Sequence, residues 1–154
     1  MSGHANFAAR NRRTGVLEEQ VFINLMLTAD LLSRRLEPVL KAAEISSTQY
    51  NVLRILRGAP EGLPCGEIGS RMISRDPDIT RLLDRLEKRG LVSRCRETRD
   101  RRLVLTRITD PGLKLLAQLD GPVLDAHYLQ LGHLGQEKLK TLMALLHEGR
   151  GQGG

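Results

Sequence analysis

Apolar positions along most of this chain recur with the period of an α-helix. Between residues 17 and 42, leucine and valine side chains stand three or four positions apart, which places them on one side of a helix. Phe22, Met26 and Ala29 widen this stripe beyond what one packing surface needs, so we predict a long first helix that contacts two bodies. Further helices are predicted over residues 46–57, 64–72, 77–89, 111–131 and 136–147.

Two of these segments carry explicit helix boundary signals. Ser46 with Gln49 three positions later forms a capping box, which predicts the start of the second helix. Asp76-Pro77 has the residue types of an N-cap and a first helical position, and Gly90 supplies a stop for the same helix. Its predicted buried face consists of Ile79, Leu82, Leu83 and Leu86. The opposite, polar face is therefore free to face outward.

After Gly90 the period changes from helical to alternating. Residues 91–96 and 102–107 are predicted to be two strands, joined by the polar segment 97–101 as a flexible hairpin tip. A short helix, a turn, a second helix and a hairpin in this order indicate a winged helix-turn-helix. The predicted fold class is mainly α with a small β-hairpin wing.

The segments that flank this winged region hold more apolar surface than it can cover. Thr109 is predicted to cap a helix that begins at Pro111, and Gly121-Pro122 to kink or break it before residues 123–131. A last helix is predicted from Gln136 to His147. Because a small winged domain cannot bury all of these apolar faces, some of them need another partner.

The excess positive charge is confined to one stretch of the chain. The sequence holds 24 basic and 18 acidic residues, a net charge of +6. Residues 71–107 contain 12 of the bases and 6 of the acids, which accounts for that whole excess. Because phosphate neutralisation supplies most sequence-independent affinity for a duplex, double-stranded DNA is the first partner to expect.

Other classes of protein are disfavoured by composition and spacing. No apolar run approaches the ~20 residues that span a bilayer, and the first 15 residues lack the apolar stretch of a signal peptide, so we expect no membrane partner and a cytoplasmic location. Four scattered histidines and two distant cysteines predict neither a metal site nor another cofactor. No nucleophile–base pair or Gly-rich phosphate loop indicates an enzyme.

The middle of the chain resembles the MarR family of bacterial transcriptional regulators. Residues 79–92, Ile-Thr-Arg-Leu-Leu-Asp-Arg-Leu-Glu-Lys-Arg-Gly-Leu-Val, are similar to the family's recognition helix and its exit into the wing. Asp100-Arg101-Arg102 resembles the family's wing signature, and Ile108-Thr109 with Gly112 resembles the start of its next helix. The resemblance extends from about Leu17 to His147.

This resemblance implies a dimeric, sequence-specific regulator of transcription, usually a repressor that a small-molecule ligand releases. Residues 16–45 and 113–148 would form a helical dimerisation region, and residues 46–112 the winged helix-turn-helix region that binds DNA. The homodimer would recognise a pseudo-palindromic operator, since a twofold protein matches two half-sites about one helical turn apart. In the wing, Asp100 would hold Arg102 in position for the minor groove.

The predicted DNA-binding residues lie on the polar face of the recognition helix and at the hairpin tip: Asp78, Thr80, Arg81, Arg85, Arg99, Asp100, Arg101 and Arg102. The alternative is a solvated helix face and an edge hairpin that charge protects from aggregation. Asp78 is either a first-turn dipole partner or a base reader. Arg94, Arg96 and Arg107 are predicted to contact phosphates or to form intramolecular pairs.

The family also implies a small aromatic or phenolic effector near Phe22, Met26, Arg34 and Tyr50, although each of these residues has an ordinary core role as its alternative. Two further functions stay open. One is a winged-helix protein-interaction module, and the other is a thiol-based redox-responsive regulator acting through Cys65 or Cys95. The family's peroxide-sensing branch carries a reactive cysteine in its first helix, and this first helix has none.

Overall fold

The computed structural model describes residues 15–151, so the predictions for the first 14 residues lie outside the described part. The elements in chain order are α1 (Val16–Ala42), α2 (Ser47–Arg57), β1 (Leu63–Pro64), α3 (Cys65–Arg71), α4 (Ile79–Lys88), β2 (Val92–Arg96), β3 (Val104–Ile108), α5 (Asp110–Leu131), a 3₁₀-helix (Gly132–Leu134) and α6 (Gly135–Gly151). The mainly helical prediction is confirmed. No helix in residues 15–151 is both long and apolar enough to cross a membrane.

The chain divides into two compact units after Arg35. The first contains the beginning of α1, and the second contains everything from Leu36 onward. In the second unit, α1 ends in a Schellman motif, in which the Ile45 N–H donates to the Leu40 carbonyl at 3.1 Å and the Glu44 N–H donates to the Lys41 carbonyl at 2.9 Å. Glu44 occupies the left-handed position of this motif with φ +56°, a conformation that glycine adopts without strain. This turn places the Ile45 side chain in the core, where it is buried.

Helix α2 begins where the capping box predicts. The Gln49 N–H donates to Ser46 Oγ at 3.1 Å, and the Ser46 N–H donates to Gln49 Oε1 at 3.1 Å. Val52, Leu53 and Leu56 on this helix are fully buried. The capping box thus satisfies two of the N–H groups that have no partner within the helix, and it fixes the residue at which α2 begins.

Helix α4 begins two residues later than predicted. The Asp76 carboxylate accepts the backbone N–H of Asp78 at 2.8 Å, which makes a turn that includes Pro77. Asp78 is the N-cap, and its side chain accepts the Arg81 N–H at 3.2 Å. The prediction of Asp76 as N-cap is therefore wrong, because a local side-chain turn competes with helix formation at this position. The predicted buried face is confirmed for Leu82, Leu83 and Leu86.

The C-terminal end of α4 carries the predicted glycine stop. Gly90 has φ +73°, the Leu91 N–H donates to the Leu86 carbonyl at 3.0 Å, and the Gly90 N–H donates to the Glu87 carbonyl at 2.9 Å. These two bonds form a complete Schellman motif. It turns the chain directly from α4 into β2.

The sheet has three antiparallel strands in the order β1-β3-β2. The hairpin of β2 and β3 is confirmed, with Val92 opposite Ile108 and Arg96 opposite Val104. Strand β1, which pairs Leu63 with Thr106, was not predicted. It is only two residues long, and Pro64 at its end favours a helix start on sequence grounds. Pairing with β3 in the folded state overrides this local preference.

Helix α5 runs without a break through Pro122, so of the kink or break predicted at Gly121-Pro122, the break is wrong. Leu116, Leu119 and Val123 lie buried on both sides of the proline. Their packing holds the two halves of the helix together and offsets the lost backbone hydrogen bond. The last helix also extends to Gly151, beyond the predicted end at His147.

The core of the second unit joins the end of α1 to the winged region and to the beginning of α5. Its fully buried side chains are Leu40, Val52, Leu53, Leu56, Ile68, Leu83, Leu86, Val92, Thr106 and Leu116. All but one are aliphatic. This core fixes α4 and the hairpin on a common scaffold.

Candidate nucleic-acid interface

The polar face of α4 presents Thr80, Arg81 and Arg85 to solvent, opposite its buried leucines. Arg81 Nε lies 3.4 Å from a carboxylate oxygen of Asp78, the N-cap of the same helix. A polar cleft of about 330 Å³ between the N-terminal ends of α2 and α4 is lined by Asp78, Arg81 and Arg85 together with Ser46. The structure therefore brings three of the predicted residues, Asp78, Arg81 and Arg85, to one cleft.

The tip of the hairpin is an ordered turn. The Glu97 N–H donates to the Leu103 carbonyl at 2.8 Å, and the Leu103 N–H donates to the Asp100 carbonyl at 3.0 Å. The Asp100 carboxylate accepts the backbone N–H of Arg102 at 3.0 Å. Asp100 thus fixes the backbone of Arg102 and leaves its guanidinium free. The resemblance implies that Asp100 holds Arg102 in position, and the structure shows that the contact is with the backbone N–H of Arg102.

Four of the predicted cationic side chains have no hydrogen bond or ion pair in the described part of the chain: Arg85, Arg99, Arg101 and Arg102. All four are exposed. Unpaired, exposed guanidinium groups are available for external anions, and their planar donors fit phosphate and base edges. The wing contributes three of these groups within four consecutive residues.

Arg94 on β2 connects the wing to helix α4. Its guanidinium donates to Glu87 Oε1 at 3.0 Å and to Asp84, and its backbone N–H donates to Glu87 Oε2 at 3.1 Å. The hydrogen bonds that Arg94 donates hold the pKa of Glu87 below its ordinary value, and the acceptance of these bonds by Glu87 and Asp84 raises the pKa of Arg94. Arg94 therefore neutralises two carboxylates on α4 that would otherwise repel phosphate.

Acidification should weaken this link between α4 and β2. The folded-state pKa of Glu87 lies below the ordinary 4.5, so the stabilisation is complete above about pH 4.5 and is lost as pH falls through the lower value. We expect Glu87→Gln to lose less stability than the unmodified chain between about pH 6 and pH 3. Urea unfolding at both pH values measures this difference.

The matched control is Glu148→Gln, at an exposed position of α6 without a described partner. That variant should keep the full acid dependence. If Glu87→Gln shows the same acid dependence as the unmodified chain, Arg94 does not stabilise the fold through Glu87. Because all these side chains are partly exposed, the effect is best measured at low salt.

The two other wing arginines with alternative predicted roles also form intramolecular bonds. Arg96 Nη1 donates to the Arg101 carbonyl at 2.9 Å, and Arg107 Nε donates to the Glu61 carbonyl at 2.7 Å. The sequence predicts either phosphate contacts or intramolecular pairs for Arg94, Arg96 and Arg107. The structure shows intramolecular pairs for all three. Their partners could not be found from the sequence, because these contacts depend on strand register and on the loop before β1.

The connection from the wing into α5 is fixed against the end of α4. Thr109 caps α5 by accepting the Gly112 N–H at 3.3 Å, and its hydroxyl donates to the Gly90 carbonyl at 2.6 Å. The Thr109 N–H also donates to the Leu91 carbonyl at 3.1 Å. A Cβ at Gly112 would clash with that same carbonyl and lie 2.7 Å from Ile108 Cγ1. This close approach requires glycine at position 112.

The residues implied for effector binding have different environments. Phe22 and Met26 are exposed on α1, with 63% and 58% of their surfaces accessible in the described chain. Arg34 pairs with Asp30 at 2.9 Å on the same helix. Tyr50 is buried on α2, and its hydroxyl accepts a hydrogen bond from Arg54 Nη1 at 3.0 Å. Tyr50 is thus a core residue with one polar contact.

Both cysteines are free: Cys95 is exposed on β2 and Cys65 is half-buried at the start of α3. The predicted location of each, in a strand and at a helix start, is confirmed. Within residues 15–151 no group of three or more His, Cys, Asp or Glu side chains is placed to hold a metal ion.

Comparison with known proteins places this arrangement in a family. The MarR family profile matches residues 45–104. The HTH-type transcriptional regulator FarR of Neisseria gonorrhoeae is 33% identical over 128 residues, which cover 82% of this chain and 86% of FarR. With that coverage, the chain belongs to the MarR family of transcriptional regulators.

Solved structures agree with this assignment. A MarR transcription factor from Planctomyces limnophilus is 41% identical with a TM-score of 0.66, covering 84% of this chain and 94% of its own. A mutant of Escherichia coli MarR, solved with operator DNA, is 26% identical with a TM-score of 0.78, covering 85% and 94%. NadR, solved with 4-hydroxyphenylacetate, is 29% identical with a TM-score of 0.71, covering 83% and 92%. The winged helix-turn-helix fold is thereby confirmed.

Proposed function

We propose that this chain is a homodimeric, sequence-specific DNA-binding regulator that represses transcription and is released from its operator by a small aromatic acid. The observation that carries the proposal is the set of unpaired guanidinium groups on α4 and on the wing tip. These groups are Arg85, Arg99, Arg101 and Arg102. They lie on the helix and the wing, the two elements that a winged helix-turn-helix inserts into DNA grooves.

The arginines fall into two groups, one with protein partners and one without, and this difference supports DNA as the partner. Arg94, Arg96 and Arg107 are bound to protein acceptors, whereas the arginines at the wing tip are not. The protein-bound set fixes the geometry, and the free set supplies charge for phosphates and for a narrow minor groove. The operator complex of E. coli MarR supports the same use of this fold.

A second copy of the chain is the proposed partner of the helices that flank the winged region. Leu129 on α5 is 81% exposed, and Leu124 and Tyr128 on the same helix are also largely exposed. An apolar groove of about 540 Å³ between α5 and α6 is lined by Leu124, Tyr128 and Leu139. Helix α1 exposes a similar series of large apolar side chains. Apolar surface of this extent is typical of an interface, and a twofold copy supplies matching surface.

The proposed domain organisation follows from these surfaces. Residues 16–45 and 113–148 form the dimerisation region, and residues 46–112 bind DNA. Arg57 on α2 and Asp120 on α5 link the two regions through a bidentate ion pair with distances of 2.8 and 3.0 Å. A rearrangement of the dimerisation helices can therefore alter the position of the winged region. For an effector we propose a phenolic or aromatic acid, on the precedent of NadR with 4-hydroxyphenylacetate.

Selection of bound duplexes from random DNA tests the proposal. We expect an enriched pseudo-palindrome, a complex of two chains per duplex, and affinity that falls steeply as salt rises. Leu129→Arg should yield monomers with weaker binding, while Lys114→Ala, at an exposed position of the same helix, should stay dimeric. Failure to bind any duplex at low salt would overturn the proposed function.

Release is tested separately with 4-hydroxyphenylacetate and related aromatic acids as probes. We expect at least one of them to lower affinity for the selected duplex, since a ligand shifts the equilibrium only by its differential affinity for two conformations. If none does so at millimolar concentration, release by an aromatic acid is wrong, and DNA binding is unaffected by that result.

A further inference from the structure

The loop before the recognition helix carries an apolar side chain that the fold does not use. Ile73 follows α3 and is 90% exposed. In the winged region, residues 46–112, all of which the structure describes, the only other exposed large apolar side chains are Leu103 and Val104, at 36% and 37%. The remaining exposed apolar side chains lie on α1, α5 and α6, where the proposed dimer interface accounts for them.

The exposure of Ile73 follows from an ordered backbone. Its N–H donates to Asn51 Oδ1 at 2.8 Å, which fixes this part of the loop on α2. Met72 has an extended conformation, with φ −66° and ψ 144°, and its side chain is buried. These are polyproline-II dihedrals, with three residues per turn, so Ile73 points about 120° away from the buried Met72 side chain and out of the core.

Arginines flank Ile73 on both sides in sequence. Arg71 is paired with Glu67 at 2.7 Å, whereas Arg75 has no hydrogen bond or ion pair within the described residues. The same loop leads into Asp78, the N-cap of α4, and the N-terminal end of a recognition helix is the end that meets base edges. An apolar side chain in such a place cannot bind phosphate. The apolar group that a major groove offers is the 5-methyl of thymine.

We propose that Ile73 reads a thymine methyl group in each half-site of the operator. This inference rests on the proposed DNA-binding function and adds a specificity-determining residue outside the recognition helix. Arginines determine where the protein sits on the duplex, and Ile73 distinguishes thymine from the other bases at one position.

The test combines a change in the protein with the removal of one methyl group from the DNA. In the duplex selected from random DNA, each symmetric pair of thymines is replaced in turn by deoxyuracil, which lacks the methyl. For the unmodified chain we expect one pair whose replacement lowers affinity about 4-fold per methyl, or more than about 10-fold for both half-sites. In Ile73→Ala the same replacement should have no further effect.

Two variants keep the interpretation clear. Ile73→Val retains a β-branched apolar side chain and should keep most of the discrimination. Leu103→Ala, at the wing, should keep the full deoxyuracil effect at that pair. Because Ile73 contributes nothing to the core, Ile73→Ala should unfold at the same urea concentration as the unmodified chain.

Any outcome other than the expected ones overturns the inference. If the losses of affinity from Ile73→Ala and from the deoxyuracil replacement add, or if no replacement of a thymine pair lowers affinity, Ile73 does not contact a methyl group. If Ile73→Ala weakens all duplexes equally, the side chain packs on the sugar-phosphate backbone. If Ile73→Ala leaves DNA binding unchanged, its partner is something other than DNA. Only the absence of any duplex binding by the unmodified chain would also remove the proposed function.

Discussion

Replacing Arg102 with alanine is expected to lower affinity for the selected duplex by at least about 10-fold at moderate salt. Arg102 has no side-chain partner in the described residues, and Asp100 fixes its backbone through a 3.0 Å hydrogen bond. The side chain is therefore held at the tip of the wing with its charge unpaired. A narrow minor groove concentrates negative potential, which favours an arginine at this position.

The salt dependence of binding separates this role from a structural one. Each lost contact with phosphate should reduce the slope of log affinity against log salt by about 1, or by about 2 for a dimer. Arg150→Ala is the matched control, since Arg150 is exposed on α6, far along the chain from the wing. It should change neither affinity nor slope. An Arg102→Ala variant with unchanged affinity and slope would show that the wing does not contact DNA.

Arg96 offers an internal comparison for the same measurement. Its guanidinium donates to the Arg101 carbonyl at 2.9 Å and so supports the turn that carries Arg102. Arg96→Gln should weaken binding by loosening the turn, with a smaller change in salt slope than Arg102→Ala. The comparison distinguishes a positioning residue from one that touches the duplex.

Gly112→Ala is expected to destabilise the fold by about 2 kcal/mol or more. The added Cβ would clash with the Leu91 carbonyl and lie 2.7 Å from Ile108 Cγ1. Neither neighbour can easily move. The Leu91 carbonyl already accepts the Thr109 N–H at 3.1 Å, and Ile108 is fixed in β3 by its pairing with Val92. Relief of the clash therefore requires a shift of α5 away from the end of α4.

Gly66→Ala, in helix α3, is the matched control. A Cβ at Gly66 meets no atom within 4 Å, and alanine is favoured over glycine in a helix by about 1 kcal/mol. We therefore expect opposite signs, with Gly112→Ala lowering and Gly66→Ala raising the free energy of unfolding measured in urea. Equal effects of the two substitutions would contradict the close packing of α5 on the wing exit.

Several features of the fold could be predicted because their causes are local. The capping box at Ser46, the stop at Gly90 and the buried leucines of α4 depend on residues within a few positions of one another, and the structure bears each of them out. The change of period after Gly90 likewise predicted the hairpin. Where two local signals competed, the prediction was wrong. Asp76 and Asp78 both have the residue type of an N-cap, and only the hydrogen bond between them decides which one caps α4.

Other features depend on contacts between residues distant in sequence. The short strand β1 exists because β3 lies beside it, and α5 continues through Pro122 because its flanking side chains are buried. The candidate site shows the same division. The sequence located the excess of arginine, but the structure determined which arginines have protein partners. Arg107, for instance, reaches a carbonyl 46 residues earlier in the chain.

The sequence by itself determined that this chain is helical with a cationic wing, because periodicity, capping and charge are properties of neighbouring residues. Only the tertiary structure decided which charged groups remain free and which apolar group, Ile73, is left exposed beside the recognition helix. The physical reason is that pairing and burial depend on distances between residues far apart in sequence. Those distances are set only when the core packs the helices and strands together.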